Sequence, residues 1–281
     1  MARQFLSYLP SSADELPPLQ ECDDDPDRSD EALVSLVPKD PRQVYKMHTL
    51  LESVCDEGSF FEIGRKWGRS MITGLARFGG VPVAIFAENP RVYGGAWTAD
   101  AARKLIRLLD LASTFHLPVI HLEDCPGFLI GKQSEEEATI RYGSAALAAL
   151  GQCTTPFCCV VIRKAFGVAG AANHKPGSHH MQRPGRQETG VHCRSKVALR
   201  SPYKAEIAES DEPDEHLAKI KDRLNRLRSP YRSAEFFRDR RNHRPKKPRV
   251  VICAIGHSLR AKHCAPILQI WLPPITTSDI K

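Results

Sequence analysis

CVVIRKAFGVAGAA, the sequence of residues 159–172, decides the fold because a β-branched apolar run passes directly into a helix start made of small residues. Amide N–H groups in the first turn of a helix lack intrahelical partners and lie at the positive end of the helix dipole. Small side chains let an anionic ligand approach those amides. We therefore predict an oxyanion hole at the backbone amides of Val168 and Ala169. Close packing of the helix against a neighbour is the alternative explanation for the same small residues.

Two loops upstream also follow apolar strands. DCPGFLIG at 124–131 follows a strand predicted at 119–122, and YGGA at 93–96 follows a strand predicted at 81–87. Three strand exits in series indicate a layered α/β domain. The other predicted elements are a helix at 47–55, a strand at 73–78, a helix capped by Thr98, a helix at 135–149, a strand at 157–162 and a helix at 212–228.

Six motifs in this order resemble the carboxyltransferase (β) subunit of biotin-dependent acyl-CoA carboxylases, of the propionyl-CoA and methylcrotonyl-CoA carboxylase type. They are FFEIG at 60–64, SMITGLA at 70–76, TFHLPV at 114–119, DCPGFLIG at 124–131, TIRYGSA at 139–145 and RKAFGVAGAA at 163–172. The resemblance covers residues 3–180 almost continuously and returns at 203–237.

The resemblance implies an α/β fold with the crotonase-like ββα spiral of a C-terminal carboxyltransferase domain, followed by an irregular tail unlike the family. Residues 1–45 would form an extended arm from the end of a missing N-terminal half, laid on a neighbour's surface. Residues 46–237 would form the domain itself. We therefore expect an enzyme that is not active without a separate N-terminal half, because that half holds the acyl-CoA in the family.

The same resemblance implies transfer of CO2 from carboxybiotin to an acyl-CoA. In the family, one oxyanion hole stabilises the acyl-CoA enolate, and a second, which Val168 and Ala169 match, stabilises the biotin enolate. Backbone N–H donors do this without an ionisable side chain. Biotin would be carried on a separate carboxyl-carrier protein, and no metal is expected in this chain. The residues expected to contact biotin or substrate are Gly127, Phe128, Phe166, Gly167 and Ala171.

Some of these residues have an equally good structural explanation. Gly127 either lets the backbone approach the biotin pocket or makes a tight turn that fills the core. Residues 93–96 either border the same cleft or form a structural turn. Ala171 lies where the family varies a residue tied to acyl choice, and its small side chain does not identify the acyl group.

Charge is unevenly distributed along the chain. The formal net charge is +7, but residues 182–202 carry +4 and residues 238–281 carry +8, which leaves −5 for the remainder. The enzyme-like part is thus mildly acidic, and we expect no nucleic-acid partner. No apolar run reaches the roughly 20 residues that span a bilayer, and no signal pattern is present, so we expect no membrane partner and a cytoplasmic location.

The expected partners follow from the resemblance. They are an acyl-CoA substrate, a biotin carboxylase/carrier subunit, an N-terminal carboxyltransferase half and, in the intact family, further copies of the chain. The nine cysteines show no pairing pattern and are interpreted as reduced thiols.

Two segments interrupt the resemblance, and both regain it in another reading frame. RPGRQETGVHCRSKVALRS at 183–201, back-translated with permitted codons and read from each third base, can spell AWPSGDWGSLPIEGGFEVA, which resembles the family's loop. RDRRNHRPK at 238–246, shifted by one base, can spell GIEEIIDPR, which resembles the family's closing motif. We therefore interpret residues 182–202 and the tail at 238–281 as out-of-frame sequence.

Two alternative functions stay open. The chain is either an inactive, truncated or frameshifted remnant of such a subunit, or a free-standing crotonase-type CoA enzyme. The second would need an acid/base carboxylate, for which residues 135–137 are the nearby cluster. The basic run at 238–249 and the loosely metal-like spacing of Cys253, His257, His263 and Cys264 lie in the out-of-frame tail and are not interpreted as sites.

Overall fold

A single mixed sheet organises the part of the chain that the computed structural model describes, which is residues 1–24, 35–38, 40, 42–171, 180–184, 212 and 214–220. Its six strands are β1 (Phe61–Ile63), β2 (Met71–Phe78), β3 (Val81–Glu88), β4 (Val119–Cys125), β5 (Phe157–Ala165) and β6 (His180–Pro184), and they neighbour one another in that order. The first three strands are antiparallel, and β3 to β6 are parallel. This arrangement agrees with the α/β fold predicted from the sequence.

Helices connect the parallel strands and cover the sheet. They are α1 (Ala2–Leu6), α2 (Met47–Val54), α3 (Ala99–Thr114), α4 (Lys132–Glu136), α5 (Thr139–Gln152) and α6 (Gly167–Ala171), with a 3₁₀ turn at Tyr93–Gly95. The predicted cap of α3 is confirmed, because the hydroxyl of Thr98 accepts a hydrogen bond from the Ala101 amide at 3.1 Å. The helix predicted at 135–149 is instead divided, since Ala138 has a left-handed φ of 56° between α4 and α5.

The hairpin between β2 and β3 shows why the sequence folds this way locally. Gly79 and Gly80 have φ values of 59° and 77°, which suit a two-residue hairpin turn and which glycine adopts readily. Both of their amides donate to the carboxylate of Asp56 at 2.8 Å. The turn is therefore fixed from the loop that follows α2.

Two apolar clusters lie on opposite faces of the sheet, because successive side chains on β4 and β5 point to opposite faces. One cluster contains Val119 and Cys159 and is covered by α3 and α5. The other contains Ile120 and Cys158 and is covered by α2. Strands β2, β3 and β4 are buried along their whole length, as expected for strands covered on both faces.

The N-terminal residues, which the sequence assigns to an extended arm, pack on this same chain. Residues Ala2–Leu6 are helical, and the ring of Tyr8 is buried in the cluster under α3. Arg77 of β2 then donates to the carbonyls of Ser7 and Pro18. The arm is thus held by hydrogen bonds to the sheet.

Three smaller predictions fall partly within the described residues. The cysteines described are free thiols, and all but Cys22 are buried. Residues 214–220 are helical with Leu217 and Ile220 buried, whereas the rest of the helix predicted at 212–228 lies outside the described residues. Among the described helices, none is long and apolar enough to cross a membrane.

Lys104 on α3 places an ammonium group inside the protein, and this predicts a pH effect on stability. Its Nζ donates to the Met71 carbonyl at 2.8 Å, and burial lowers its pKa to about 8. The unfolded chain holds that proton up to its ordinary pKa of about 10.4, so Lys104 destabilises the fold below pH 8 and does so less as the pH rises through 8 to 10.

Urea unfolding of the natural chain and of Lys104→Met checks this. Between pH 7.5 and 9.5, the free energy of unfolding of the natural chain should rise relative to that of the variant by about 1–2 kcal/mol. The missing hydrogen bond to Met71 adds only a constant offset. A difference that does not change with pH would contradict the predicted titration of Lys104.

Candidate functional site

The carboxyl ends of β3, β4 and β5 lie side by side at one edge of the sheet, because these strands run parallel. The ladder between β4 and β5 is irregular there. Glu123 pairs with Val161, but Cys125 pairs with Ala165, so β5 contains two more residues than β4 across this interval. Such an irregularity changes the direction of side chains beside the strand end.

The irregular part of β5 brings two cations to one buried carboxylate, that of Asp124. Arg163 donates from Nη2 and Nε to Oδ2 of Asp124 at 2.9 and 3.2 Å, and Lys164 Nζ lies 3.6 Å from Oδ1. The hydroxyl of Tyr45 donates to Oδ2 at 3.0 Å, and burial together with Asp124 raises the pKa of that hydroxyl. Arg163 also donates to the Gln43 carbonyl at 2.8 Å. Asp124 therefore ties the segment before α2 to the ends of β4 and β5.

Residues 93–96 pack directly against this edge. Lys164 Nζ donates to the Gly94 carbonyl at 3.1 Å, and burial lowers the pKa of Lys164 although the charge of Asp124 opposes that shift. A Cβ built on Gly95 would lie 3.0 Å from both the Asp124 carbonyl oxygen and the Glu88 Cβ. The backbone of the turn thus reaches the site only because residue 95 has no side chain.

A second buried carboxylate, that of Glu88, accepts three hydrogen bonds. The donors are Trp97 Nε1 at 2.9 Å, the Asp124 amide at 2.9 Å and His121 Nε2 at 3.0 Å. Burial raises the pKa of Glu88, but the charge and hydrogen bond of His121 and the other two donors outweigh burial, and the pKa lies below its ordinary value. Glu88 therefore holds β4 and the segment after the 3₁₀ turn in one arrangement.

Trp97 carries this arrangement to the loop after β4. Its amide donates to the Gly127 carbonyl at 3.0 Å, and its carbonyl accepts from the Leu129 amide at 2.9 Å. The ring of Phe128 meets the Trp97 ring edge-on at 5.7 Å, and a side chain on Gly143 of α5 would overlap the Phe128 ring. Phe128, which the sequence assigned to a binding pocket, packs its ring against the protein.

The loop after β4 meets the start of α6 through two glycines. Gly127 and Gly167 have φ values of 113° and 68°, which few other residues adopt. A Cβ built on Gly167 would lie 3.7 Å from the Gly127 Cα, and one built on Gly127 would lie 3.6 Å from the Phe166 carbonyl oxygen. The Phe166 amide donates to the Cys125 carbonyl at 2.9 Å. The two segments therefore approach each other through their backbones.

The predicted oxyanion residues occupy the first turn of α6. The Gly170 amide donates to the Phe166 carbonyl at 3.2 Å, and Val168 and Ala169 lie in the first turn of the helix. The side chain of Val168 is 64% exposed, whereas Ala169 is fully buried. Ala171, the other predicted pocket residue, is the last residue of α6. Apart from Ala171 and Phe128, the predicted site residues lie together at the Gly127–Gly167 contact.

Sequence reasoning missed a cluster of three buried side chains under α3 and α5. His121 and Glu123 are two positions apart on β4 and so lie on the same face of the sheet, and Cys159 of β5 is the strand partner of His121. The Sγ of Cys159 lies 3.5 Å from His121 Nδ1 and 3.2 Å from Glu123 Oε2, and all three residues are fully buried. Burial and the charge of Glu123 raise the pKa of the Cys159 thiol. The signal for this cluster was the polar His-x-Glu spacing inside an apolar strand.

Other features lie away from the glycine contact. A cavity of about 320 Å³ at the opposite end of the strands is lined by residues that include Leu16, His116 and Thr154. A cavity of about 600 Å³ lies between the N-terminal arm and the β2–β3 turn. Residues 135–137, the acids that a free-standing crotonase-type enzyme would use, are exposed to solvent.

Comparison with known protein families gives one match. The family described as the Carboxyl transferase domain matches residues 1–183. The "Uncharacterized carboxylase YngE" of Bacillus subtilis is 38% identical over 167 residues, which cover 59% of this chain and 32% of that protein. The "Propionyl-CoA carboxylase, carboxyltransferase subunit" of Haloferax mediterranei is 32% identical over 241 residues, which cover 83% of this chain and 46% of that protein. The chain thus spans less than half of the length of each of these relatives, 32% and 46%.

A solved structure shares the fold. It is described as "Transcarboxylase 12S crystal structure: hexamer assembly and substrate binding to a multienzyme core (with methylmalonyl-coenzyme a and methylmalonic acid bound)". The match has a TM-score of 0.80 and 24% sequence identity, and it covers 98% of this chain and 52% of that chain. This confirms the predicted crotonase-like fold class.

Proposed function

The chain belongs to the Carboxyl transferase domain family, and on this premise we propose that it supplies the biotin-side half of an acyl-CoA carboxyltransferase active site. The reaction would move a carboxyl group from biotin to an acyl-CoA. The observation that carries the proposal is the backbone contact between Gly127 and Gly167, at the carboxyl ends of two parallel strands. In layered α/β folds, ligands bind at that edge of the sheet.

The glycine contact suits a small planar ligand with a polar oxygen. Neither segment presents a side chain at Gly127 or Gly167, so a ligand would meet backbone on both sides. The first turn of α6 would add the backbone amides of Val168 and Ala169 as donors. Biotin, when bound, would supply a carboxyl group held on its ureido ring.

The chain's own residues would act by electrostatic stabilisation. Preorganised N–H donors would stabilise negative charge on a ligand oxygen without moving. We propose that the backbone amides of Val168 and Ala169 provide those donors. The ion pairs of Asp124 with Arg163 and Lys164 would not contact the ligand. They would position α6, because they hold the end of β5, from which that helix starts.

The remaining groups would come from outside this sequence, which spans less than half of the two relatives described above. We propose that an N-terminal carboxyltransferase half holds the acyl-CoA and that biotin arrives on a separate carrier protein. Large apolar side chains are exposed at three positions in the loops and helix start that form the site: Tyr93, Ile130 and Val168. Such exposure favours a partner protein that covers them. Further copies of the chain and a cytoplasmic location stay part of the proposal.

A transfer assay run in reverse tests the proposal. The chain is mixed with the separately expressed N-terminal half of a family member, methylmalonyl-CoA or malonyl-CoA, and free biotin. We expect decarboxylation that requires biotin and both polypeptides. If the mixture shows no biotin-dependent decarboxylation while the intact family member does, the chain is an inactive remnant and the proposal fails.

Gly167→Ala is expected to lower the biotin-dependent activity by more than its loss of stability explains. A side chain at φ 68° costs about 1–2 kcal/mol, and its Cβ would lie 3.7 Å from the Gly127 Cα, where we propose that the ligand enters. Gly58→Ala is the matched control, since Gly58 has φ 66° with nothing within 4 Å of an added Cβ. Both variants should lose similar stability in urea unfolding, but only Gly167→Ala should slow the biotin-dependent assay, by at least about tenfold. Equal rates for the two variants would contradict the site assignment.

We also propose that residues 182–202 and 238–281 lie outside the family's reading frame. The family match ends at residue 183, close to the start of the first segment, which supports this. Resequencing the gene tests it. The corrected sequence should contain a base inserted or deleted near the codons for residues 182, 202 and 237, and it should then encode AWPSGDWGSLP and EEIIDPR. If resequencing returns the present sequence unchanged, a sequencing error does not explain these two segments.

A further inference from the structure

We infer that His121, Glu123 and Cys159 form a binding site for one divalent transition-metal cation, with zinc as the ion that their atoms suit best. The site lies between the sheet and helices α3 and α5, on the opposite side of β4 from the Asp124 ion pairs. It is independent of the proposed transfer reaction. It also departs from the expectation, drawn from the sequence, that the chain holds no metal.

The three side chains present different donor atoms at spacings that a metal ion requires. The imidazole nitrogen, thiol sulfur and carboxylate oxygen all lie within 4.8 Å of one another. Zinc bonds of about 2.0–2.3 Å at tetrahedral angles place ligand atoms roughly 3.5 Å apart. The Cys159 Sγ lies 3.5 Å from His121 Nδ1 and 3.2 Å from Glu123 Oε2. Nitrogen, sulfur and oxygen ligands are the set that zinc binds in proteins.

Glu88 prepares His121 to act as a ligand. Its carboxylate lies 3.0 and 3.1 Å from His121 Nε2, which therefore donates its proton to Glu88. In a metal-bound form the ring would present the lone pair of Nδ1, the nitrogen that lies 3.5 Å from the Cys159 Sγ. A carboxylate that orients a histidine in this way is the usual outer partner of a zinc-bound imidazole. Phe86 stacks on the ring at 4.0 Å and fixes its plane.

A divalent cation would bind the donor atoms of His121, Glu123 and Cys159 at once. On binding, the thiol releases its proton to solvent, a metal–sulfur bond forms in its place, and His121 and Glu123 each donate a lone pair. A positive ion would also stabilise the buried carboxylate of Glu123.

Full burial sets how the ion enters. All three residues have no solvent exposure, so the ion would be bound as the chain folds and would be retained afterwards. The natural chain, expressed with zinc and purified without chelator, should therefore contain close to one zinc per chain by elemental analysis. Chelator should remove it only from the unfolded chain.

Variants on one strand give a matched comparison. Cys159→Ser removes the sulfur ligand and should lower the zinc content at least tenfold, whereas Cys158→Ser removes a buried thiol on the opposite face and should leave it unchanged. Glu123→Gln should lower it as well. Equal loss of zinc from Cys158→Ser and Cys159→Ser would overturn the site.

Cobalt tests the natural chain without any variant, in case Cys159→Ser does not fold. The chain is unfolded with chelator and refolded with Co²⁺. We expect the near-ultraviolet absorption of a cobalt–thiolate bond at one equivalent. A chain that refolds with native circular dichroism but holds less than a tenth of an equivalent of zinc or cobalt would show that the cluster is a hydrogen-bonded network with no metal.

Discussion

Asp124→Ala is expected to destabilise the fold by about 3–5 kcal/mol, which is a large part of the stability of an ordinary domain. The substitution leaves the Arg163 guanidinium, whose side chain is 3% exposed, buried without its carboxylate. Lys164 and the Tyr45 hydroxyl lose the same partner. Removing one member of a buried ion pair is costly because the remaining charge cannot recover its hydration. Urea unfolding monitored by circular dichroism measures the loss.

Two further variants show that the effect comes from burial. Asp100→Asn changes an ion pair with Arg103 in which both side chains are half exposed, and it should cost less than about 1 kcal/mol. Asp124→Leu combined with Arg163→Met should recover part of the loss of Asp124→Ala, because the Arg163 charge is removed with its carboxylate and only the charge of Lys164 is left without that partner. If Asp124→Ala costs no more than Asp100→Asn, the buried ion pairs do not hold the strand ends together.

Glu88→Ala is expected to cost about 3–6 kcal/mol, because it leaves three buried N–H donors without their acceptor, each worth roughly 1–3 kcal/mol. The donors belong to Trp97, His121 and Asp124. Trp97 also fixes the loop that contains Gly127, so the variant should loosen that loop. Hydrogen exchange of the Leu129 amide, which donates to the Trp97 carbonyl, measures this directly.

Glu62→Ala is the control for a carboxylate that also pairs with histidine. Glu62 accepts from His48 at 3.0 Å, but both side chains are partly exposed, and we expect a loss near 1 kcal/mol with unchanged exchange at Leu129. Glu88→Gln should lie between the two, because an amide keeps one acceptor oxygen. Faster exchange at Leu129 in Glu62→Ala as well would mean that the loop responds to general destabilisation and that Glu88 has no special part in holding it.

Local signals in the sequence were sufficient for much of the fold. The spacing of Met47, Leu50, Leu51 and Val54 predicted α2, and Gly79-Gly80 between two apolar runs predicted the β2–β3 hairpin. These elements depend on neighbours along the chain, so a pattern of a few residues determines them. The break at Ala138 was missed because only a left-handed alanine marks it, and alanine is a strong helix former in sequence.

The site was predicted in part, for a similar reason. Gly127, Gly167 and Val168 follow strand ends, which the sequence shows. The ion pairs of Asp124 depend on an irregular strand pairing between β4 and β5, and the Glu88 hydrogen bonds join residues 33 and 36 positions apart. Such contacts are decided by how strands align in the sheet, and a single sequence does not record that alignment.

Phe128 shows what a motif leaves undetermined. The sequence assigned it, within residues 124–128, to the biotin pocket. In the structure its ring packs against Trp97 and against Gly143 on α5. The ring therefore holds the loop against the helix, a contact between distant positions that a single sequence does not show.

The amide spectrum of the ¹⁵N-labelled chain during titration with free biotin tests the central claim most directly, because it needs neither the N-terminal half nor turnover. We predict chemical-shift changes at Gly127, Gly167 and Val168, with Gly58 unchanged. The same titration of Gly167→Ala should show weaker binding at these amides. Shifts confined to the cavity near His116 and Thr154, or no saturable shift at all, would contradict a biotin site at the Gly127–Gly167 contact.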